Sequence, residues 1–489
     1  MMGAAGPGGR PAVVTPDGVL THRELETRVD RLARALVAAG VGPEVVCAIA
    51  LERGVDAVVA MSAVRRAHGA FLTVDTDLPP QRVAALLSEA RVLVSAAGLA
   101  ERFSVPGPTV LVDSDSPDAV LPEGEPDPRS LAYVSHTSGS TGVPNAVLVE
   151  HRSLRSYLRS AVRDNDLGPD TVVLQLAPMG YDASIRDTLA PLLAGGSVVV
   201  LPRSALLRPE ELFAAVRAHG VNAVLSTTPS FLTFLSRRPG AVEALRGVRL
   251  VATSGESLRP FLAAGGRALL PGRLVNQYGP TECTMTSTRH EVPAAPEDAD
   301  LVGRPIEGVV VRLLDGALRE VPDGAVGEVH LGGIGVARGY AGRPGLTAER
   351  FVPDPFCVVP PGGTGERLYR TGDLARRRPD GVLEYLGRDD RQIKVRGHRV
   401  DPAEVEAVLL THPSITGAAV TPATDAQHRT YLVAHVTGEV AEVRDAALRA
   451  HLADALPPHL MPRRFTRLDR FPTTRSGKVD RAALAAGAR

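Results

Sequence analysis

Short apolar runs alternating with amphipathic helical patterns constrain the fold of this chain more than any other feature. The runs VVCAIAL, VLVSA, TVLVD, SVVVL, NAVLS and RLVAT have the length of buried strands. Between Leu20 and Gly40, Thr21 and Glu24 have the spacing of a capping box, followed by an apolar stripe at helical spacing. Together these patterns predict an α/β fold in which helices cover a parallel sheet.

The length of 489 residues predicts at least two compact units. After about residue 300 the pattern changes to short strands and turns, such as VVVRLLDG and GEVHLGG, which predict a small β subdomain. A sharper break falls near YLGRDDRQIKVRG, beyond which AAVTP and YLVAHV predict strands and one helix ends before LPPHLMP. We therefore predict a large N-terminal body of mixed parallel sheets and helices over 1–389 and a small α+β domain over 390–489.

Charge and cysteine content narrow the class of protein. The formal net charge is +0, so the chain has no global attraction for nucleic acid or anionic membrane. Cys47, Cys283 and Cys357 are far apart, odd in number and without metal-ligand spacing, which favours a reducing compartment. No signal-peptide pattern and no apolar run of about 18 residues occurs. We expect a cytoplasmic protein.

Lysine is almost absent from the chain. Of the 55 basic residues, only Lys394 and Lys478 are lysine. An ammonium is a compact point charge, whereas guanidinium is a wide planar fork, so the two retained lysines are candidates for tight single-point contacts. Both lie near glycine, in QIKVRG and SGKVDR. The alternative is that both are ordinary surface residues.

The segment TSGSTGVPNA, from Thr137 to Ala146, has the glycines and hydroxyls of a phosphate-binding loop but no cation. A P-loop needs lysine after its last glycine, and here Val143 follows Gly142, so that motif is excluded. A plain surface loop rich in Ser, Thr and Gly is the alternative.

Several motifs occur together in order: LAYVSHTSGSTGVP, NQYGPTEC, LYRTGDLARRRPDGVLEYLGRDDRQIKVRGHR and TTRSGKVDR, with LTHREL and RRAHGAFLTVD nearer the N-terminus. In this order and spacing they resemble the adenylate-forming superfamily, specifically the amino-acid adenylation domains of nonribosomal peptide synthetases. The resemblance covers nearly the whole chain. It implies a small C-terminal domain that is mobile about a hinge, and an enzyme of the ligase class.

Two half-reactions follow from the resemblance. ATP and an amino acid give aminoacyl-AMP and pyrophosphate, and the acyl group then passes to the phosphopantetheine thiol of a carrier protein. The implied catalytic residues are Lys478, Thr281 and Glu282 in the first half-reaction, with Glu282 holding Mg²⁺, and Lys394 beside Gly397 in the second. Asp390 matches the hinge.

The resemblance also assigns the nucleotide-binding residues. In the phosphate loop they are Thr137, Ser138, Gly139, Ser140, Thr141 and Gly142. Asn276 would meet the adenine amino edge and Tyr278 the adenine face, Asp373 would accept the ribose hydroxyls, Tyr385 would lie near the base and Arg388 near the ribose. Gly255 and Gly279 complete the nucleotide-binding set.

The acyl pocket contains Asp182, which matches the aspartate that pairs with the amino group of an amino acid. The other pocket positions are Ala183, Arg186, Thr227, Ala252, Ser254, Gln277, Met285 and Thr286. Arg186 lies four residues beyond Asp182, so the two could form an internal ion pair on one helix face. If Arg186 instead faces the ligand, it favours an acidic or polar side chain, including that of a β-amino acid.

The chain departs from the family at the phosphate loop. Asn145 and Ala146 stand where Lys-Gly is usual, and His136 stands where tyrosine is frequent. The lost charge predicts a weaker grip on pyrophosphate. It also keeps open the alternative of a non-catalytic nucleotide-binding relative. A second alternative is an acyl- or aryl-CoA ligase of the same superfamily, which would not need Asp182.

The sequence ends eleven residues after Lys478 without a carrier segment. We therefore expect a free-standing enzyme that loads a separate carrier protein in trans, in the biosynthesis of a peptide antibiotic or related natural product. An MbtH-like helper protein is a partner known in this family, and no residue here indicates one.

Overall fold

The computed structural model describes residues 7–114, 117–139, 144–357, 366–389, 392–395, 397–425, 429–473 and 479–487. The chain divides into two compact units. The first comprises Met1–Thr76, Leu87–Ser135 and Ala146–Asp389, and the second comprises Asp77–Leu86, His136–Asn145 and Asp390–Arg489. No described helix combines the length and the hydropathy needed to cross a membrane.

The strands of the described residues follow in chain order. They are β1 Pro11–Thr15, β2 Gly18–Thr21, β3 Val46–Ala50, β4 Ala70–Thr73, β5 Val92–Ser95, β6 Thr109–Leu111, β7 Leu131–Thr137, β8 Asn145–Glu150, β9 Val172–Gln175, β10 Ser197–Val200, β11 Ala223–Thr227, β12 Leu250–Ser254, β13 Arg273–Tyr278, β14 Thr288–Glu291, β15 Leu301–Pro305, β16 Val309–Leu314, β17 Val326–Gly333, β18 Gly339–Tyr340, β19 Phe351–Pro353, β20 Arg367–Arg377, β21 Leu383–Arg388, β22 Ile393–Val395, β23 His398–Val400, β24 Ile415–Thr424, β25 Thr430–Gly438 and β26 Arg464–Arg467.

The α-helices alternate with these strands. They are α1 His22–Ala38, α2 Val55–Arg66, α3 Pro80–Leu86, α4 Ala97–Ala100, α5 His151–Asp164, α6 Ala183–Leu193, α7 Arg203–Leu206, α8 Pro209–Ala218, α9 Pro229–Ser236, α10 Ala241–Leu245, α11 Arg259–Ala263, α12 Pro344–Arg350, α13 Pro402–Leu409, α14 Asp445–Ala453 and α15 Arg481–Gly487. Short 3-10 turns cover Pro7–Gly9, Leu87–Glu89, Gly266–Leu269, Thr281–Cys283 and Pro458–Leu460.

The first unit contains a sheet of 14 strands in the order β16-β17-β20-β21-β15-β14-β13-β12-β11-β9-β10-β1-β2, with β19 beside β20. Neighbouring strands are parallel from β1 through β10, β9, β11 and β12 to β13. From β13 through β14, β15, β21, β20 and β17 to β16 they are antiparallel. A second sheet of seven strands has the order β18-β8-β7-β4-β3-β5-β6. The predicted α/β class is confirmed, and the short strands predicted after residue 300 are present and pair antiparallel.

The capping box predicted from Thr21 and Glu24 is present at the start of α1. The Thr21 hydroxyl accepts from the backbone N–H of Glu24, and the Glu24 carboxylate accepts from the backbone N–H of Thr21. Gly40 follows the helix at φ +86°, a conformation that favours glycine. Leu25, Leu32 and other apolar residues on one face of α1 are buried in the core of the first unit.

The second unit has its own apolar core and two small sheets. Strands β22 and β23 form a hairpin, and β24, β25 and β26 form a three-stranded sheet. Val405 of α13 and Leu448 of α14 pack into the same core. The sequence predicted one helix here, which is α14; α13 and α15 are additional, and both are too short for a clear apolar period.

Candidate active site

The carboxyl ends of β11, β12 and β13 lie side by side, because these strands are parallel neighbours. Thr227 ends β11, Ser254 ends β12 and is paired with Gln277 near the end of β13. Ala252 lies two residues before Ser254 in β12, on the same face of the strand, and is fully buried. In an open α/β sheet this edge is where ligands bind, so three predicted pocket positions meet at the expected place.

The turn after β13 is backbone-strained. Thr284 and Met285 are both left-handed, at φ +58° and +70°. Gly279 is required, since a Cβ there would lie 2.6 Å from the carbonyl oxygen of Met285. The turn is tied down where the backbone N–H of Ser287 donates to the carbonyl of Tyr278 at 2.8 Å. Gly255, which follows β12, is also left-handed, at φ +88°.

Asp182 lies immediately before α6, next to Ala183. Its Oδ2 is buried and has no hydrogen-bond partner among the described residues. Burial raises the pKa of this carboxyl, and Thr281 and the charge of Arg186 oppose that rise. A buried acceptor without a donor is costly, and a cationic or hydrogen-bonding group could satisfy this oxygen.

Arg186 is 2% exposed, and its terminal nitrogens donate to a ring of side-chain oxygens. Nη1 donates to Gln277 Oε1 at 2.8 Å and to Thr286 Oγ1 at 3.2 Å. Its ion-pair partner is Asp187, with Nε 3.8 Å from Oδ1. The alternative of an ion pair between Arg186 and Asp182 is therefore corrected: Arg186 pairs with Asp187, the next residue of α6.

Three residues of this network were missed by sequence reasoning: Tyr157, Asp187 and Ser226. Tyr157 Oη accepts from Arg186 at 3.0 Å, and Ser226 Oγ accepts from Nη2 of the same guanidinium. Tyr157 and Ser226 are 29 and 40 residues from Arg186, so no local pattern could find them. Only Asp187 could have been predicted from the sequence, because an acidic residue next to an arginine in a largely apolar helix indicates an ion pair.

On the nucleotide side, Asp373 of β20 is surrounded by donors. Tyr278 Oη donates to Oδ2 at 2.6 Å, and Tyr385 Oη and Arg388 Nη1 donate to Oδ1 at 3.2 and 2.6 Å. Burial, followed by the Asp373 charge, raises the pKa of Tyr278 well above its ordinary value, which keeps its hydroxyl a donor. Register pairing of Asp373 with Arg388 across β20 and β21 explains their contact. The residues predicted for ribose and base are thus together.

Asn276 is nearly buried on β13, and its Nδ2 donates to the carbonyl of Leu301 at 2.9 Å. Since Nδ2 is the donor, Oδ1 is the acceptor end of the amide. An acceptor is what the amino edge of adenine requires.

Glu282 is fully buried, and Tyr340 Oη donates to its Oε1 at 2.8 Å. Among the described residues no group of three or more His, Cys, Asp or Glu side chains could hold a metal. Mg²⁺ commonly uses one or two protein carboxylates together with substrate phosphates. A single oriented carboxylate therefore fits a metal ion that arrives with a nucleotide, and it does not fit a resident protein-only site.

In the phosphate loop, the described residues Thr137, Ser138 and Gly139 precede the gap at 140–143. Ser138 Oγ donates to the carbonyl of Arg399 at 3.0 Å, within the second unit. Thr137 Oγ1 is buried and has no hydrogen-bond partner among the described residues. Asn145 Nδ2 donates to the carbonyl of Ser138 at 3.4 Å. The residue that replaces the usual lysine thus joins the two ends of the loop.

Outside the described residues lie Ser140, Thr141, Gly142, Asp390 and Lys478. Lys394 is described, on the β22–β23 hairpin, where it pairs with Arg399, and Gly397 of the same hairpin is left-handed at φ +80°.

Comparison with known proteins agrees with this geometry. The model of the AMP-binding enzyme family matches residues 3–341, and that of the AMP-binding enzyme C-terminal domain matches 404–478. The chain therefore belongs to the AMP-binding enzyme family, and it is a ligase of the adenylate-forming type.

Individual relatives specify the branch. The chain is 40% identical to phosphinothricin tripeptide synthetase PhsC of Streptomyces viridochromogenes and 36% identical to tyrocidine synthase 2 of Brevibacillus parabrevis, in each case over 97% of this chain. It spans 43% and 13% of those proteins. Among solved structures it resembles NpsA-ThdA, an artificially fused adenylation-PCP di-domain from Klebsiella oxytoca, with a TM-score of 0.82, 25% identity and coverage of 94% and 91% of the two chains. The chain is similar to adenylation domains of nonribosomal peptide synthetases.

Proposed function

We propose that this protein activates an amino acid as aminoacyl-AMP and transfers it to the phosphopantetheine thiol of a carrier protein supplied in trans. The pathway would be the biosynthesis of a nonribosomal peptide or related natural product. Similarity to multidomain peptide synthetases supports the class of reaction.

The observation that carries the proposal is the buried, unpartnered Oδ2 of Asp182. A fatty or aryl acid offers no cation to this oxygen, whereas the ammonium of an amino acid provides both a charge and hydrogen-bond donors. The same consideration extends to β-amino acids, whose ammonium is one carbon further from the carboxylate. Burial also raises the pKa of Asp182, which means that the ionised carboxylate lacks stabilisation until a cation binds next to it.

The nucleotide would bind beside the turn after β13. Asn276 would accept from the adenine amino group, Tyr278 would lie against the base, and Asp373 would accept the ribose hydroxyls in place of its present donors. Glu282 would hold Mg²⁺, which when bound neutralises phosphate charge during adenylation. Thr137 and Thr281 would contribute hydroxyls to the phosphates.

The two retained lysines would serve one half-reaction each. We assign Lys478 to the region between the amino acid carboxylate and the α-phosphate, where negative charge must be brought together. Lys394 would belong to thioester formation. Residues 390–489 would move about Asp390 between the two steps.

The pocket would accept an acidic or other polar side chain, since Thr227, Ser254 and Gln277 offer hydroxyl and amide groups there. The free cysteines Cys47, Cys283 and Cys357 support a reducing cytoplasmic setting.

The test is amino-acid-dependent ATP–pyrophosphate exchange across proteinogenic and β-amino acids. We expect exchange with a small set of polar amino acids and a loss of at least about 100-fold in Lys478→Met, because one charge contact at the reacting centre is removed. Absence of exchange with every amino acid, despite nucleotide binding, would contradict the proposal. Thioester formation is tested separately with holo-carrier protein and with free coenzyme A; use of coenzyme A alone would indicate a CoA ligase.

A further inference from the structure

The charge of Arg186 is already compensated inside the protein, and this bears on which side chain the pocket accepts. Asp187 is fully buried, and its Oδ2 accepts from the backbone N–H groups of Leu176 and Ala177 at 3.3 and 3.2 Å. Its Oδ1 accepts from the Ser226 hydroxyl. Held by three donors from the end of β9 and from β11, this carboxylate cannot turn away from Arg186.

The hydrogen bonds have a definite direction. Guanidinium can only donate, so Ser226 Oγ accepts from Arg186 and must use its own proton toward Asp187. The direct approach of Arg186 Nε to Asp187 is 3.8 Å, too long for a hydrogen bond. Ser226 therefore connects the two charges, and the three residues form one neutral unit.

The same reasoning fixes the orientation of Gln277. Its Oε1 accepts from Arg186 at 2.8 Å, so its N–H₂ group is on the other side of the amide, available to a group other than Arg186. The Nη groups of Arg186 are already engaged with Tyr157, Gln277, Thr286 and Ser226. A ligand could therefore accept a hydrogen bond from the amide N–H₂ of Gln277.

The balance of buried charge then discriminates between substrates. Arg186 and Asp187 cancel, and the charge of Asp182 is matched by the ammonium of an amino acid. A carboxylate on the substrate side chain would add a buried negative charge without a cation opposite it, which is strongly unfavourable.

We propose that Asp187 is a specificity-determining positioning residue, which compensates Arg186 so that the pocket selects an uncharged hydrogen-bonding side chain, such as an amide or hydroxyl, over a carboxylate. This rests on the proposed amino-acid activation and narrows its substrate class from acidic or polar to neutral polar.

The test uses isosteric substrate pairs, asparagine against aspartate and glutamine against glutamate, in ATP–pyrophosphate exchange; the pair with the higher turnover is analysed. The parent protein is expected to show kcat/KM at least about tenfold higher for the amide than for the acid. In Asp187→Asn, which keeps the shape but frees the charge of Arg186, the amide-to-acid ratio should shift toward the acid by about 10- to 100-fold.

The matched control is the double variant Arg186→Gln/Asp187→Asn, which removes both charges and should return the ratio to the side of the amide. If Asp187→Asn does not fold, as judged by its thermal transition, Ser226→Ala interrupts the same connection and should shift the ratio in the same direction by a smaller factor. If Asp187 had only a packing role, its substitution would lower kcat/KM for the amide and for the acid equally, and the amide-to-acid ratio would not change.

A parent protein that prefers acidic or apolar amino acids overturns the inference, as does an unchanged ratio in the folded single variant. Either result is obtained with exchange still present, whereas failure of the proposed function is the loss of exchange with all amino acids. The two failures are therefore distinguishable.

Discussion

Two carboxylates of the first unit, Asp373 and Asp182, are treated in opposite ways. Asp373 accepts from Tyr278, Tyr385 and Arg388, so its charge is matched before any ligand arrives. Asp182 has a buried oxygen with no partner among the described residues. One carboxylate organises its surroundings, and the other depends on a ligand for its missing contact. The same site thus combines a carboxylate whose hydrogen bonds are complete, Asp373, with one that is under-stabilised until a ligand binds, Asp182.

The largest expected effect is on Asp182→Asn. Removing one partner of a buried ion pair costs about 3 kcal/mol or more, so kcat/KM for the amino acid in pyrophosphate exchange should fall at least about 100-fold. The apo protein should be as stable as the parent or more so, because the buried charge is gone. Calorimetric ATP binding is the control and should change little. A clear fall in apo stability would contradict the contrast with Asp373.

Asp373→Asn should have the opposite balance. Arg388 would lose its carboxylate partner in a nearly buried position, which should lower the free energy of unfolding by about 3 kcal/mol. We also expect KM for ATP to rise by about 10- to 100-fold, since the ribose acceptor is weakened. Denaturant unfolding and exchange at varied ATP measure the two effects. Unchanged stability would show that the three donors do not depend on Asp373.

The next effect is the pH dependence that Asp182 should impose on the reaction. Burial raises the pKa of Asp182 in the free protein, and an ammonium ligand would lower it again. Binding therefore favours the ionised form, so kcat/KM for the amino acid should increase about tenfold per pH unit until pH exceeds the raised pKa. This acid limb should lie above the usual range of aspartate and be missing in Asp182→Asn. A limb retained in that variant would assign the titration to another group.

The smallest effect is expected for Tyr278→Phe. It removes one of three donors to Asp373 and keeps the ring, so KM for ATP should rise by about fivefold, corresponding to about 1 kcal/mol. Tyr385→Phe, which removes the longer 3.2 Å contact, is the matched control and should have the smaller consequence. A larger effect for Tyr385→Phe would reverse the ranking of these donors.

Much of the architecture could be read from local patterns. The apolar runs became β3, β5, β6, β10, β11 and β12. All of these except β6 are almost wholly buried, so their β-branched and aliphatic residues define a strand by themselves. Thr21 and Glu24 formed their capping box, a contact that spans only three residues. The short helices α13 and α15 were not predicted, since about two turns give too little periodicity to recognise.

The candidate site likewise has features that the sequence could predict and features that only the tertiary structure decided. From the sequence, Asp182, Tyr278, Asp373 and Arg186 were predicted as site residues through the resemblance of its ordered motifs to a known family. Only the tertiary structure decided that Arg186 pairs with Asp187 through Ser226, and that Asp373 is satisfied while Asp182 is not. Those outcomes depend on neighbours brought from distant strands and helices, and hydrogen-bond satisfaction is a property of such three-dimensional surroundings.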